Sequence, residues 1–193
     1  MSYKIKSYAK INLALNVISK KIKLHKIESI VSFIDLHDLI FIKKTNKKNH
    51  QISFYGKFSK NISSNNTVRK LFIILEEKKL LKDKKFQIKI KKNIPQKAGL
   101  GGGSMNAASI LNFLIKKKFI NISQKKIKYI SNLIGSDVIL GLNSSNIILS
   151  SNNIIKNFSK CPKFYTLLIK PDFGCSTKKI YSGVKKFTKS KFN

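Results

Sequence analysis

Pro95-Gln96-Lys97-Ala98-Gly99-Leu100-Gly101-Gly102-Gly103-Ser104-Met105-Asn106-Ala107-Ala108 stands between two segments of different periodicity. Before it, Phe86, Ile88 and Ile90 alternate with Gln87, Lys89 and Lys91, the pattern of a half-buried strand. After it, Ala107, Ala108, Ile110, Leu111, Leu114 and Ile115 mark one apolar face of a helix. Four of the chain's nine glycines fall within residues 99–103. Glycine accepts positive φ and lets the backbone approach a ligand closely, so successive N–H groups can converge on one anion. The following helix adds unpaired N-terminal donors and the positive end of its dipole. Ser104 offers a hydroxyl to a phosphate or to a bound Mg²⁺. The stretch reads as a polyphosphate cradle. It is not the usual P-loop, because no Gly-Lys-Ser/Thr follows the glycines. Nor is it a dinucleotide fingerprint: counted from Gly99, Ser104 occupies the place of the last glycine. A plain flexible connection between strand and helix is the competing reading, and it leaves the clustering of glycine unexplained.

Working outward, Ile11, Leu13, Leu15 and Val17 alternate with small or polar residues and predict a first strand. The apolar run Ile27 to Ile42 is interrupted at His37-Asp38 and reads as two adjacent strands. Thr45 to His50 (TNKKNH) is a turn, and Ile52 and Phe54 open another strand. Val68, Leu71, Phe72 and Leu75 fall at helical spacing, which starts a helix near Asn66 or Thr67. Ile127, Ile130, Leu133 and Ile134 mark a further helix that stops at Gly135. From Asn146 onward short strands are expected, Phe164 to Ile169 the clearest, with a last helix near Thr177. The class is α+β.

The 193 residues suffice for one sizeable core, or for one domain and part of another. A hydrophobic fraction of 42% is globular in character. No run approaches the roughly 18 apolar residues of a membrane helix, and the N-terminus lacks the apolar core of a signal peptide. A cytoplasmic location is expected. Cys161 and Cys175 are too far apart for a Cys-x-x-Cys pair, and His25, His37 and His50 lack i, i+4 ligand spacing. The net charge of +32 invites a nucleic-acid partner. Arg69, however, is the sole arginine, and bidentate reading of guanine or phosphate favours arginine. The lysines are spread along the whole chain among Ile and Asn, which favours a solvated basic surface over a specific nucleic-acid site.

The motifs follow one another in the order of a known family. Gly99 to Ala108 (GLGGGSMNAA) resembles the second motif of the GHMP kinases, and its triple glycine before Ser-x-Asn-Ala-Ala is similar to that of the diphosphocytidyl-methylerythritol kinases. Ala9-Lys10-Ile11-Asn12-Leu13, Phe33 to Asp38, Gly135-Ser136-Asp137-Val138, and Gly174-Cys175-Ser176-Thr177 with Tyr181 resemble further segments of that family. The resemblance covers essentially the whole chain. It implies transfer of the γ-phosphoryl group of ATP, accompanied by Mg²⁺, to the 2-hydroxyl of 4-(cytidine 5′-diphospho)-2-C-methyl-D-erythritol, a step of the non-mevalonate route to isoprenoid precursors. Residues 95–105 would bind ATP. Asp137 matches the general base and Lys10 its cationic partner, while Asn12, His25 and Thr177 match positions near the cytidine substrate. No fixed metal site is implied beyond the ion that accompanies ATP, with Ser104 near it.

Taken alone, Asp137 reads equally well as a turn-capping aspartate, Lys10 as one more surface lysine, and His25 as a structural histidine. The chain departs from the family at Tyr8, which replaces a proline, and at Lys23-Leu24-His25, which replaces Gly-Tyr-His. Met105 replaces a small hydroxyl residue, and Ile139 a proline. The family's Gly-Ser-Gly loop does not follow Tyr181. Residues 1–152 are therefore expected to form the ATP- and substrate-binding domain, with a ribosomal-protein-like architecture. Residues 153–193 are expected to begin a second, incomplete α+β domain, from a truncated or split reading frame, and the polypeptide alone to be weakly active or inactive. Two other functions remain open at this point: a basic nucleic-acid-binding α+β module, and a GHMP kinase for a different alcohol.

Overall fold

The computed structural model describes residues 1–20, 25–143, 145–158, 163–171, 173–174 and 177–192, with only the backbone for 177–179. Cys161, Cys175, Ser176 and the Lys23-Leu24 pair lie outside the described residues. The strands are β1 (Ser2–Lys20), β2 (His25–Thr45), β3 (Gln51–Tyr55), β4 (Lys85–Lys91), β5 (Asn146–Leu149) and β6 (Ile155–Phe158). The helices are α1 (Thr67–Glu77), α2 (Gly102–Lys116), α3 (Gln124–Ile134) and α4 (Thr177–Ser182), with a short 3-10 turn at Leu140–Leu142. Strands and helices are not arranged in repeating βα units, so the class is α+β as expected. The chain divides into two compact units. Unit 1 is Met1–Ala9, Asp35–Gln96 and Gly101–Leu142; unit 2 is Lys10–Ile34, Lys97–Leu100 and Asn143–Asn193.

In unit 1, β4 pairs antiparallel with the later half of β2, from Leu39↔Lys91 to Thr45↔Lys85. On its other edge β4 pairs parallel with β3, from Gln51↔Gln87 to Tyr55↔Lys91. The alternation that announced β4 holds: Phe86, Ile88 and Ile90 are fully buried. They meet Ile40 and Ile42 of β2, Leu71, Phe72 and Leu75 of α1, Leu111 and Leu114 of α2, and Ile130 and Ile134 of α3 in one core. α1 begins where the sequence placed it, because the Asn66 side chain accepts from the backbone N–H groups of Val68 and Arg69, at 3.1 Å each. α3 starts in the same way on Ser123 and stops at Gly135. His50 is packed against the Phe72 ring at 4.4 Å. Its Nδ1 accepts from the Phe86 N–H at 3.0 Å, and its Nε2 lies 3.2 Å from Glu76 Oε1.

In unit 2, the early half of β2 pairs antiparallel with β5, Ser29↔Leu149 to Val31↔Ile147, and β5 pairs antiparallel with β6. Glu28 is fully buried and gathers the chain's last described residues: its carboxylate accepts from Ser190 Oγ, from Lys191 N at 2.9 Å and from Phe192 N at 3.2 Å. Burial pushes the Glu28 pKa up, but these hydrogen bonds and one from Asn16 outweigh it and hold it below the ordinary 4.5.

Two expectations are corrected. The run from Ile27 to Ile42 is one strand, not two. Asp38 does not break it, because the carboxylate is buried and has partners on other elements. Phe164 to Ile169 is not a strand. It joins none of the described ladders, and Leu167 and Ile169 are 85% and 84% exposed. A short apolar run supplies the side chains of a strand, but a ladder needs a second backbone to bond to.

Candidate active site

β4 ends at Lys91 and α2 begins at Gly102, inside the glycine run. Gly101, at φ 66°, is the N-cap of α2 and sits in the left-handed region that favours glycine. Gly99, at φ 74°, is held by the same requirement and not by crowding, since an added Cβ would meet nothing within 4 Å. The first intrahelical bond of α2 is Met105 N to Gly101 O, 2.9 Å. The N–H groups of residues 102–104 are thus the helix's open donors. Unlike α1 and α3, α2 has no side-chain cap. Thr67 Oγ1 donates to Gly103 O at 2.6 Å and fixes the carbonyl that alternates with these donors. Gln96 Nε2 donates to Phe58 O at 2.8 Å and to Lys60 O at 2.7 Å, which holds the incoming side of the loop.

Asp137 lies in unit 1, in the turn between α3 and the 3-10 segment, half-buried. Its carbonyl accepts from Leu140 N at 3.2 Å, and its carboxylate from Ser136 Oγ at 3.3 Å. A Cβ added to Gly135 would stand 4.0 Å from Ser104 Oγ. The Gly-Ser-Asp turn and the hydroxyl of the glycine loop are therefore neighbours within unit 1. Met105 is buried and packs on Gly141, where an added Cβ would come within 2.8 Å of its sulfur.

In unit 2, Lys10 is buried and its backbone N–H donates to Leu100 O at 3.1 Å, which ties β1 to the loop. Lys10 Nζ donates to Asn12 Oδ1 at 2.6 Å, Asn12 Nδ2 to Ser29 Oγ at 2.6 Å, and Ser29 Oγ to Ala14 O at 2.7 Å. Lys10 and Asn12, matched to different roles, thus form one relay. The His25 ring stacks on Tyr181 at 5.2 Å and 25°, and among the described residues its buried Nε2 has no hydrogen-bond partner. Gly174 lies against Lys97 of the loop, an added Cβ coming within 3.0 Å of the lysine Cβ. Thr177 opens α4.

One cluster escaped the sequence reading. Asp38, Lys92 and Asn106 are all buried, and Asp38 accepts from Lys92 Nζ, Asn93 N, Ile94 N and Asn106 Nδ2. The signal was present as parity. Asp38 shares the face of Ile40 and Ile42 on β2, and Lys92 continues the face of Phe86, Ile88 and Ile90 past the end of β4. Among the described residues no group of three His, Cys, Asp or Glu side chains is placed to hold a metal ion. None of the described helices is long and apolar enough to cross a membrane.

Residues 66–151 match the sequence profile of the GHMP kinases N terminal domain. The chain is 64% identical over 192 residues to a 4-diphosphocytidyl-2-C-methyl-D-erythritol kinase of Pelagibacter ubique (strain HTCC1062), a match that covers all of this chain and 68% of that protein. It is 34% identical over 183 residues to the enzyme of the same name from Clostridium perfringens (strain 13 / Type A), covering 94% of this chain and 63% of that one. The chain thus spans about two thirds of the length of these relatives. A crystal structure of 4-(cytidine 5′-diphospho)-2C-methyl-D-erythritol kinase shares the fold, with a TM-score of 0.64 at 22% identity over 81% of this chain and 55% of that one. By its motifs, its profile match and these relatives, the chain belongs to the GHMP kinases and, among them, to the 4-diphosphocytidyl-2-C-methyl-D-erythritol kinase family.

Proposed function

We propose that the glycine loop binds the polyphosphate of ATP and that the chain serves transfer of the γ-phosphoryl group to the 2-hydroxyl of 4-(cytidine 5′-diphospho)-2-C-methyl-D-erythritol. The observation that carries this reading is the start of α2 inside the glycine run, where residues 102–104 present open N–H donors with no side-chain cap. Such a helix start binds anions through its donors and its dipole. Phosphoryl transfer demands chiefly positioning and neutralisation of charge, plus one group to take the hydroxyl proton. Asp137 takes that proton as the acceptor oxygen bonds to the γ-phosphorus and the bridge to ADP breaks. Lys10, oriented through Asn12, stabilises charge on the transferring group. Asn12, His25 and Thr177 hold the cytidine end. Mg²⁺ bound with ATP would neutralise phosphate charge, and Ser104 would be the protein hydroxyl available to help hold it. On this reading residues 153–193 open a second domain, and the protein acts in the cytoplasm.

The test is ADP release by the purified chain, alone and joined to the remaining third of the Pelagibacter relative, with the cytidine substrate, mevalonate or homoserine as acceptor. ADP release confined to the cytidine substrate in the joined protein, and abolished by Asp137→Ala with ATP binding retained, is the expected result. A preference for mevalonate or homoserine would reassign the substrate, and unchanged turnover in Asp137→Ala would remove Asp137 from the mechanism. Failure of the chain to bind ATP at concentrations up to about 1 mM, a typical upper bound for KM, would sink the reading of the loop.

A further inference from the structure

Asp38 lies on β2, far in sequence from the glycine loop, yet it touches both of the loop's stems. Its Oδ1 accepts from Asn93 N at 2.7 Å and Ile94 N at 2.9 Å, where the chain leaves β4. Its Oδ2 accepts from Lys92 Nζ and, at 3.0 Å, from Asn106 Nδ2 in the second turn of α2. A carboxylate has about four acceptor positions, and all four are filled. Asp38 is fully buried, with Lys92 4% and Asn106 1% exposed, so neither water nor side-chain rotation competes for these bonds. All belong to unit 1.

The charges are matched to their place. An added Cβ on Gly102 would stand 3.4 Å from Lys92 Nζ, so this ammonium lies beneath the first residue of α2. A buried cation beside a helix N-terminus is unfavourable in itself, because it meets the positive end of the dipole and is stripped of water. Asp38 neutralises it, so the pair adds no net charge under the loop. The pair is therefore a fastener and not an anion ligand. Asn106 is held in one orientation, its amide donating to Asp38, while among the described residues its buried Oδ1 has no partner. The fold accepts that cost to keep the amide pointing at the carboxylate.

We propose that Asp38 is the positioning residue of the glycine loop: one buried carboxylate clamps the stem at residues 93–94 to the stem at Asn106 and so sets the spacing at which the loop's N–H groups face a polyphosphate. This rests on the reading of the loop as the polyphosphate site. Thr67 and Gln96 each hold one point of the loop; among the described residues Asp38 alone bonds to both stems.

The test uses the full chain with Asp38→Asn, Asn106→Ala and, as a control, Leu81→Ala, a buried core position outside the loop. ATP and adenosine binding are measured at a temperature where each variant is folded, alongside hydrogen exchange of individual amides. In Asp38→Asn the expected result is ATP binding weaker by about tenfold or more with adenosine binding within about twofold of the parent, since small displacements of positioning groups have effects of this size or larger. Exchange should quicken at residues 94 and 101–106 and stay unchanged in β3 and α3. Asn106→Ala leaves the ion pair intact and should show the same split in weaker form, which carries the test if Asp38→Asn does not fold. Leu81→Ala should lower the melting temperature with ATP binding intact. The proposal is overturned if Asp38→Asn or Asn106→Ala binds ATP as the parent does, or if exchange rises uniformly as in Leu81→Ala. If the parent binds no polyphosphate, the reading of the loop fails. The exchange pattern then still decides whether Asp38 clamps the stems.

Discussion

The two units differ in how completely each encloses its apolar side chains. In unit 1, three helices pack on a sheet formed by β3, β4, the later half of β2 and the start of β1, and Phe72, Phe86, Leu111 and their neighbours are closed off from water. In unit 2, Leu13 and Leu15 of β1 are close to half exposed, and the segment around Tyr165, Leu167 and Ile169 presents its apolar side chains to solvent. Unit 1 is held by a core. Unit 2 relies more on polar fastenings, with Glu28 gathering residues 190–192 and the Lys10-Asn12-Ser29 relay running along β1 and β2. Exposed apolar area of this kind marks a surface that favours association.

The contrast can be broken most directly in the core. Phe86→Ala should lower unfolding stability by about 3–5 kcal/mol, measured by urea titration, because it empties a site enclosed on all sides. A loss below about 1 kcal/mol would mean that unit 1 is as loosely packed as the outer part of unit 2. Next in size is the fastening in unit 2. The Glu28 pKa is lowered in the fold, so its contribution is complete above the unfolded value of about 4.5 and is lost as pH falls through the lower folded value. Protection of the Lys191 and Phe192 amides from hydrogen exchange should disappear on acidification through that window, and at every pH in Glu28→Gln. Protection that persists at low pH would show that these residues are held by something other than the carboxylate.

His50 sharpens the comparison from the side of unit 1. Burial pushes its pKa below the ordinary 6.5; the Lys85 charge acts the same way and Glu76 opposes them. The neutral ring is the one that fits, since Nδ1 accepts from the Phe86 N–H. Stability should therefore rise with pH from the folded value up to about 6.5 and level off above it. Stability curves of the parent and of His50→Phe would report this, and an equal pH dependence in both would exclude His50 as its source. The smallest effect belongs to the open segment. Leu167→Lys should change stability by less than about 0.5 kcal/mol, as expected of an exposed site, while self-association seen by sedimentation decreases. A substantial loss of stability would mean that Leu167 is packed in solution.

Periodicity carried much of this architecture. The α1 start at Thr67, the alternation of β4 and the stop of α3 at Gly135 all follow from local patterns, because each depends on residues within a turn or two. The glycine loop was legible for the same reason. What local pattern could not supply was the identity of partners. Asp38 looked like an interruption because its four donors come from 54 to 68 residues away. Phe164 to Ile169 looked like a strand because it is a short, nearly continuous apolar run, whereas the ladder it would need is not among those described. Leu13 and Leu15 showed the period of β1 but not which face would be covered. Lys10 and Asp137 were singled out through the resemblance; as isolated residues they are ordinary.

The unfinished start of α2 has one more consequence. A helix whose first turn lacks a side-chain cap frays there, and an anion seated on those amides completes it, so occupancy and local order become one linked equilibrium. Whatever binds the loop also holds the first half-turn of the helix. On the reading proposed for the loop, nucleotide is in part a folding ligand, and its departure loosens the seat it leaves behind.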